Sequence, residues 1–222
     1  MNRRTLLQSA TALGALPSLA RGRATPNDAE EDLARATRVL SAAKAIGLGG
    51  GYDRSWKSSG CPVEIRHGGR RILAASDQGT YCCGYTFAVA MAALASADAL
   101  GELSVDDVRG FQKTWFGATA IKDEQERQCS VAVGQLKVGK SVSAEEAMAG
   151  DFLQLWRKTK KPAGHSVLFL GWVEVAERPI GISYLSSQGS TDGIGYAVEY
   201  FADAGIDGGR VDRDRLYFAR LA

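Results

Sequence analysis

The chain has 222 residues, a length typical of one domain or of one domain with an appendage. Hydrophobic residues make up 45% and charged residues 23%, as in an ordinary globular protein rather than a disordered or fibrous one. The formal net charge is +2 with acidic and basic residues interspersed, so neither a nucleic-acid partner nor a membrane-surface partner is indicated. No apolar run is long enough to span a bilayer.

The first 24 residues have the features of an export signal rather than of a folded element. Arg3 and Arg4 form a charged start, an apolar stretch follows, and the tripeptide SLA at 18–20 resembles a cleavage site. The arginine pair followed by Thr-Leu-Leu resembles a twin-arginine signal, and a general secretory signal with two arginines is the alternative. We therefore expect a single mature domain over 25–222, in the periplasm or secreted.

If the protein is exported, its four cysteines lie in an oxidising compartment, where disulfides form. Their spacing contains no C-x-x-C, so neither a thioredoxin-like site nor a zinc ribbon is supported. A bond between the adjacent Cys82 and Cys83 would strain the intervening peptide. Cys61 with Cys129 is the more plausible bridge, and two unpaired thiols are the alternative.

The first elements in chain order are a helix and a hairpin. Asn27 with Glu30 resembles a capping box, apolar residues repeat at helical spacing over 27–46, and a glycine run ends the helix. The segment 61–74 has the pattern of a hairpin with His-Gly-Gly at its turn. His67 is therefore interpreted as a surface turn residue without a functional role.

Helical patterns continue through the middle of the chain. An apolar helix starts at the adjacent cysteines and runs to about residue 100. Ser104 with Asp107 predicts the start of another helix, and Ser143 with Glu146 predicts the start of a short one.

The second half of the chain has the alternation of strands. In FLQLWR, Gln154 and Trp156 fall on one face, and the segment GHSVLFLGWVEV is apolar on both faces, as in a central strand. Four strands are predicted, at 150–157, 164–175, 180–189 and 215–221. The predicted fold class is therefore α+β, with N-terminal helices packed on a C-terminal antiparallel sheet.

Two features of this layout point to chemistry. A cysteine at a helix N-terminus is stabilised as a thiolate by unpaired N–H groups and the helix dipole, which makes it a nucleophile. His165 opens a buried strand, and a helix packed on that sheet can bring the two side chains together as a Cys–His pair.

A third group is expected to orient the imidazole. If the turn between the second and third strands is centred between Ala176 and Glu177, Gln188 lies opposite His165, within hydrogen-bonding reach. A turn centred one residue later would place Ser190 there instead. Gln188 can hold the imidazole tautomer without adding charge, and a polar residue at a strand end is the alternative interpretation.

The motifs CCGYTF, GDFLQLWR and GHSVLFLGW, followed by a polar residue one strand later, resemble the NlpC family of papain-like cysteine peptidases and amidases. CHAP amidases share the same plan. The resemblance covers roughly 79–190 and implies a papain-like fold and hydrolysis of peptide or amide bonds in cell-wall peptidoglycan. It places Cys82 on the family's nucleophile and Cys83 on the serine that follows it, with His165 and then Gln188 completing the site.

A separate observation also favours Cys82 over Cys83. Cys83, Phe87, Met91 and Leu94 form an apolar stripe at helical spacing, so Cys83 is expected to point into the core. Cys82 then lies on a face of smaller residues, which leaves space for a strand that carries a histidine.

The sequence departs from the family pattern in three places. Tyr81 stands where many members have an aspartate, Cys83 replaces the signature serine, and the segment 101–149 does not align. These departures leave the substrate open, so a peptidoglycan peptide is only the family's default.

The resulting hypothesis is a Cys82–His165–Gln188 hydrolase that acts through a thioester, with the backbone N–H of Cys82 helping to hold the oxyanion. It requires no metal and no organic cofactor. Acyl transfer would use the same residues. The competing hypotheses are a catalytically inert secreted module of the same fold and a thiol redox protein that uses the Cys82–Cys83 pair.

Overall fold

The computed structural model describes residues 26–160 and 163–222. The predicted export signal and the side chain of Asn27 lie outside the described residues. The described helices are α1 (Pro26–Ile46), α2 (Cys82–Ser96), α3 (Val105–Trp115), α4 (Lys122–Arg127) and α5 (Cys129–Leu136). The described strands are β1 (Gly49–Gly50), β2 (Ile65–His67), β3 (Arg70–Leu73), β4 (Gly139–Val142), β5 (Phe152–Arg157), β6 (Ala163–Val175), β7 (Arg178–Gln188), β8 (Gly193–Tyr200) and β9 (Val211–Leu221).

Seven strands form one antiparallel sheet in the order β1-β8-β7-β6-β5-β9-β4. The four predicted strands correspond to β5, β6, β7 and β9, which confirms a mixed α+β architecture with helices and a large antiparallel sheet. β9 begins at Val211 rather than at residue 215, and β1, β4 and β8 were not predicted. The hairpin β2–β3 forms a separate two-stranded sheet and turns at the predicted glycines.

Helix α2 is the central helix of the domain. Its side chains are apolar nearly all round, and ten of its residues are buried because α1 and α3 cover it on one side and β6 and β7 on the other. The helix ends at Ser96, earlier than residue 100. No described helix is both long enough and apolar enough to cross a bilayer.

The unaligned segment 101–149 belongs to the same fold. It supplies α3, α4, α5 and β4, and α5 packs on α3, β4 and β9. The capping box predicted at Ser104 is present, because the Ser104 hydroxyl accepts from the N–H of Asp107 at 3.1 Å and the Asp107 carboxylate accepts from the N–H of Ser104 at 2.9 Å.

The short helix predicted at Ser143 is absent. Glu146 does accept from the N–H of Ser143 at 3.2 Å, but turns follow instead of a helix. The reason is Gly150, which has a left-handed φ of 92° and donates its N–H to the carbonyl of Phe169 at 2.9 Å. The chain is thereby drawn into the sheet before a second helical turn can form.

The cysteines also differ from expectation. All four are free thiols, so the predicted pairing of Cys61 with Cys129 is wrong. Cys61 is buried beside the start of α2, whereas Cys129 begins α5 and contacts the carbonyl of Tyr217 on β9, so the two lie on separate elements. Burial raises the pKa of Cys61 to about 11 and that of Cys129 to about 12, which leaves both as unreactive thiols.

His67 is more than a surface turn residue. Its Nε2 lies 2.7 Å from the carbonyl oxygen of Leu103, so the half-buried ring links the β2–β3 hairpin to the loop before α3. This contact is structural, and His67 does not line the pocket described below.

Asp151, which follows the Gly150 turn, is buried among charged partners. Its carboxylate accepts from Arg220 Nε at 3.0 Å, from Arg35 at 3.2 Å and from the N–H of Met148 at 2.9 Å. Arg35 lies on α1 and Arg220 on β9. The Gly-Asp motif therefore joins the first helix to the sheet and does not reach the cysteines.

Candidate active site

Cys82 is the first residue of α2. The residue before it, Tyr81, is extended and provides no side-chain cap for the first N–H groups of the helix, and the N–H groups of Cys83 and Gly84 face the Cys83 sulfur. Gly84 lets this end of the helix approach the preceding loop, because a Cβ there would overlap the backbone carbonyl of Gly60. The glycine of the CCG motif is thus a packing requirement.

The pKa values of the two adjacent thiols are shifted in opposite directions. The pKa of Cys82 is lowered well below its ordinary value, first by a hydrogen bond from Cys83 and then, against the effect of burial, by the hydrogen bond and charge of His165 and the N–H of Ser166. The pKa of Cys83 is raised well above its ordinary value by the neighbouring Cys82 and by burial. Cys82 is therefore the thiolate of the pair. Cys83 packs against the core as expected but also lines the pocket.

His165 is held on its far side by Gln188. The Nε2 of His165 lies 3.1 Å from Oε1 of Gln188, which leaves Nδ1 as the nitrogen available to Cys82. The turn that sets this register is centred between Ala176 and Glu177, both in the left-handed region, with φ of 48° and 62°. The structure thus places Gln188, and not Ser190, against the imidazole.

Behind Gln188 lies a buried charged group. The hydroxyl of Tyr184 is 2.8 Å from Oε1 of Gln188 and 2.6 Å from Oε1 of Glu199. The Glu199 carboxylate also accepts from two nitrogens of Arg157, at 2.8 and 2.6 Å, and from Nε of Arg210 at 2.9 Å. Although burial raises it, these hydrogen bonds and the charge of Arg157 lower the pKa of Glu199 to about 2.

The single hydroxyl proton of Tyr184 cannot serve both of its neighbours. With the proton toward the ionised Glu199, Gln188 must present its –NH2 group to Tyr184, and the same group then faces Nε2 of His165. With the proton toward Gln188, the amide oxygen can also accept from a protonated Nε2. The charge of Glu199 is therefore linked by hydrogen bonds to the tautomer of His165.

A pocket of about 510 Å³ opens beside Cys82 and His165. Its polar lining includes the side chains of Gln128, Gln154 and Ser166. Its aromatic lining comprises Tyr52, Trp56, Tyr81, Phe116 and Trp156. The predicted alternation of FLQLWR is confirmed, since Gln154 and Trp156 lie on the same side of β5, toward this pocket.

Sequence reasoning missed most of the pocket. Trp56 and Tyr52 lie in an irregular segment without periodicity, and Phe116 and Gln128 come from the segment that does not align. Tyr52 approaches the thiol closely enough that, after burial, the charge of Cys82 is the next cause that raises the Tyr52 pKa. Only the clustering of aromatic residues around the CCG motif could have indicated them.

No protein-family model, curated protein sequence or solved structure matches this chain. Within residues 26–160 and 163–222, no group of histidine, cysteine, aspartate and glutamate side chains could hold a metal ion.

Proposed function

We propose that this chain is an exported cysteine hydrolase with a papain-like fold of the NlpC type, and that it cleaves a peptide or amide bond. The observation that carries the proposal is the placement of Cys82. It starts a buried helix, its pKa is lowered, and it pairs with an imidazole whose other nitrogen contacts an amide side chain. A structural cysteine in a core needs none of these contacts.

In the proposed reaction the Cys82 thiolate attacks the carbonyl carbon, and the oxyanion is held at the start of α2 by the backbone N–H of Cys82. The C–N bond then breaks as Nδ1–H of His165 gives its proton to the leaving amine, which leaves a thioester on Cys82. Water, deprotonated by Nδ1, attacks the thioester, and the C–S bond breaks to restore the thiolate. Whenever Nε2 of His165 carries a proton, the acceptor that faces it is Oε1 of Gln188. No metal or organic cofactor takes part.

The substrate class follows from the family resemblance, which makes cell-wall peptidoglycan the default, and an export signal is consistent with that location. One competing hypothesis is redox chemistry by Cys82 and Cys83. A bond between adjacent cysteines is strained, and such a couple has no use for His165 or Gln188.

The test is alkylation of the protein by iodoacetamide at pH 6–7, with the labelled cysteines mapped by mass spectrometry. We expect rapid labelling at Cys82 alone and a rate at least about tenfold lower in His165→Ala, since the imidazolium is a principal source of the thiolate. Cys83→Ser is the matched control and is expected to keep a fast Cys82, because the serine hydroxyl can still donate the hydrogen bond that Cys83 gives and His165 remains.

Two outcomes would overturn the proposal. Slow labelling at every cysteine would indicate an inert module of the same fold. Labelling of both adjacent thiols only after treatment with a mild reductant, with no effect of His165→Ala, would indicate a redox pair.

A further inference from the structure

The pocket next to the thiolate has rigid aromatic walls. Trp56 stacks on Tyr81 with ring centroids 6.3 Å apart, and Tyr81 meets the edge of Phe116 at the same distance. The Tyr81 hydroxyl donates to the carbonyl of Ser58 at 3.0 Å, which fixes the ring. Trp56 remains 67% exposed, so its outer face is covered by no described residue.

The loop that carries Trp56 is held in place by one carboxylate. Asp53 accepts hydrogen bonds from the N–H groups of Ser55, Trp56 and Ser58, at 2.8, 3.2 and 3.3 Å, and from the hydroxyls of the two serines. Trp56 itself has a left-handed φ of 57°, which is unfavourable for a large side chain. The hydrogen bonds to Asp53 hold this strained backbone in place, and the indole is thereby kept at the mouth of the pocket.

Trp156, which also lines the pocket, is fixed as firmly. The indole N–H of Trp156 donates to the carbonyl of Glu126 at 2.9 Å, and the guanidinium of Arg215 lies 4.5 Å from the ring centroid. Arg215 is in turn paired with the Glu126 carboxylate at 3.0 Å, so its charge is compensated outside the pocket. Both tryptophans therefore line the pocket with indole rings that are held in place.

The polar groups that line the pocket are neutral. Gln154 is 1% exposed, and its Oε1 accepts from the hydroxyl of Ser166 at 2.6 Å. Its –NH2 lies over Gly164, where a Cβ would be 2.6 Å from Nε2. Apart from the titrating groups of the site itself, no lysine, arginine, aspartate or glutamate of the described residues lines this pocket.

We infer that the proposed hydrolase acts on uncharged substrates that carry an aromatic ring or a similar planar apolar group next to the scissile carbonyl. This inference rests on the proposed function and specifies its substrate class. A substrate carboxylate in this pocket would lose its hydration, and the cationic group that the described lining offers, the imidazole of His165, is already paired with Cys82. An aromatic ring against the aromatic lining of the pocket gains stacking and burial instead.

The experiment compares three alkylating probes at Cys82 that share the iodoacetamide group: iodoacetamide, N-benzyl-iodoacetamide and N-(carboxymethyl)iodoacetamide. Each rate is divided by the rate of the same probe with free cysteine at the same pH. We expect the benzyl probe to exceed iodoacetamide by about tenfold or more, because burial of its ring against the aromatic lining is favourable. The acidic probe is expected to react more slowly than iodoacetamide.

Trp56→Ala is the informative variant, since this side chain is mostly exposed and its loss leaves the core intact. It should reduce the benzyl preference several-fold. Tyr196→Ala removes an aromatic ring that is 62% exposed on β8 and does not line the pocket, and it should leave the preference unchanged.

The outcomes separate the two proposals. Slow iodoacetamide labelling at Cys82 would overturn the proposed function itself. Fast labelling with equal normalised rates for iodoacetamide and the benzyl probe would overturn the substrate class alone. A preference for the acidic probe would also overturn it and would favour an anionic substrate.

Discussion

Two carboxylates in this protein are buried against pairs of arginines, and they serve different ends. Asp151 contacts Arg35 and Arg220, whose other contacts are structural. Glu199 contacts Arg157 and Arg210 but also the hydroxyl of Tyr184, which continues to Gln188 and the imidazole. Similar charge arrangements therefore stabilise the fold in one region and reach the candidate site in the other. They differ because hydrogen bonds lead from Glu199 through Tyr184 and Gln188 to His165.

The largest expected effect is on stability and comes from Asp151. Asp151→Ala leaves two buried guanidinium groups with only the more exposed Asp32 as a carboxylate partner and should lower the free energy of unfolding by up to about 3–5 kcal/mol. Urea unfolding measures this. Asp203→Ala, which breaks an exposed pair with Arg213, is the control and should cost less than about 1 kcal/mol. Equal losses in the two variants would contradict a structural role for the Asp151 cluster.

Glu199 should make stability depend on pH. Its pKa is lowered from 4.5 to about 2 in the fold, so its contribution is fully present above pH 4.5 and is lost as the pH falls toward 2. By pH 3 about 2 kcal/mol should be lost. Unfolding at pH 5 and pH 3 measures the change, and Glu199→Gln should reduce the difference by that amount. An undiminished difference in the variant would assign the pH dependence to other carboxylates.

Tyr184→Phe tests whether Glu199, unlike Asp151, acts on the candidate site. It breaks the connection between Glu199 and Gln188 and leaves the arginine pairs in place. Gln188 is then free to turn its oxygen toward a protonated His165, which stabilises the imidazolium and the Cys82 thiolate. The rate of Cys82 alkylation at pH 5 should rise about two- to fivefold, a factor that corresponds to the net free energy of one neutral hydrogen bond. Asp151 variants that still fold should show no such change. A fall in the rate would mean that Tyr184 supports the imidazolium.

The smallest effect distinguishes the arginines of the two clusters. Arg210 is 53% exposed on its side chain, so Arg210→Ala should cost less than about 1 kcal/mol of unfolding free energy. Arg220 is 9% exposed and bonds both Asp151 and the carbonyl of Glu146, so Arg220→Ala should cost clearly more. Urea unfolding of the two variants side by side gives the comparison, and equal costs would contradict it.

The parts of the fold that could be predicted have strong local patterns. Helix α3 has a capping box, β5 alternates, and β6 is apolar on both faces. The strands that were missed lack such patterns. β1 is two glycines, β4 is the short segment GKSV, and β8 is rich in small residues, so their pairing depends on partners far along the chain. The absent disulfide has the same cause, because spacing alone does not place two cysteines together.

The candidate site divides in the same way. The contact between His165 and Gln188 could be predicted because the turn between β6 and β7 is tight and the two register shifts between the turn and the site cancel. The buried network around Glu199 could not, since β8 was not recognised. The position of Trp56 depends on hydrogen bonds to Asp53 in an irregular loop, and such a loop has no periodic sequence pattern from which these bonds could be predicted.

The Asp151 cluster also has a consequence for how the chain folds. It joins Arg35 and Arg220 to a residue 116 positions away from one and 69 from the other. β9, which carries Arg220, lies between β5 and β4, although it follows both in the chain. The edge of β5 therefore stays open until β9 is in place, and contacts of such high sequence separation form slowly. We expect folding in milliseconds to seconds, with β5 as the edge most exposed to aggregation in the meantime.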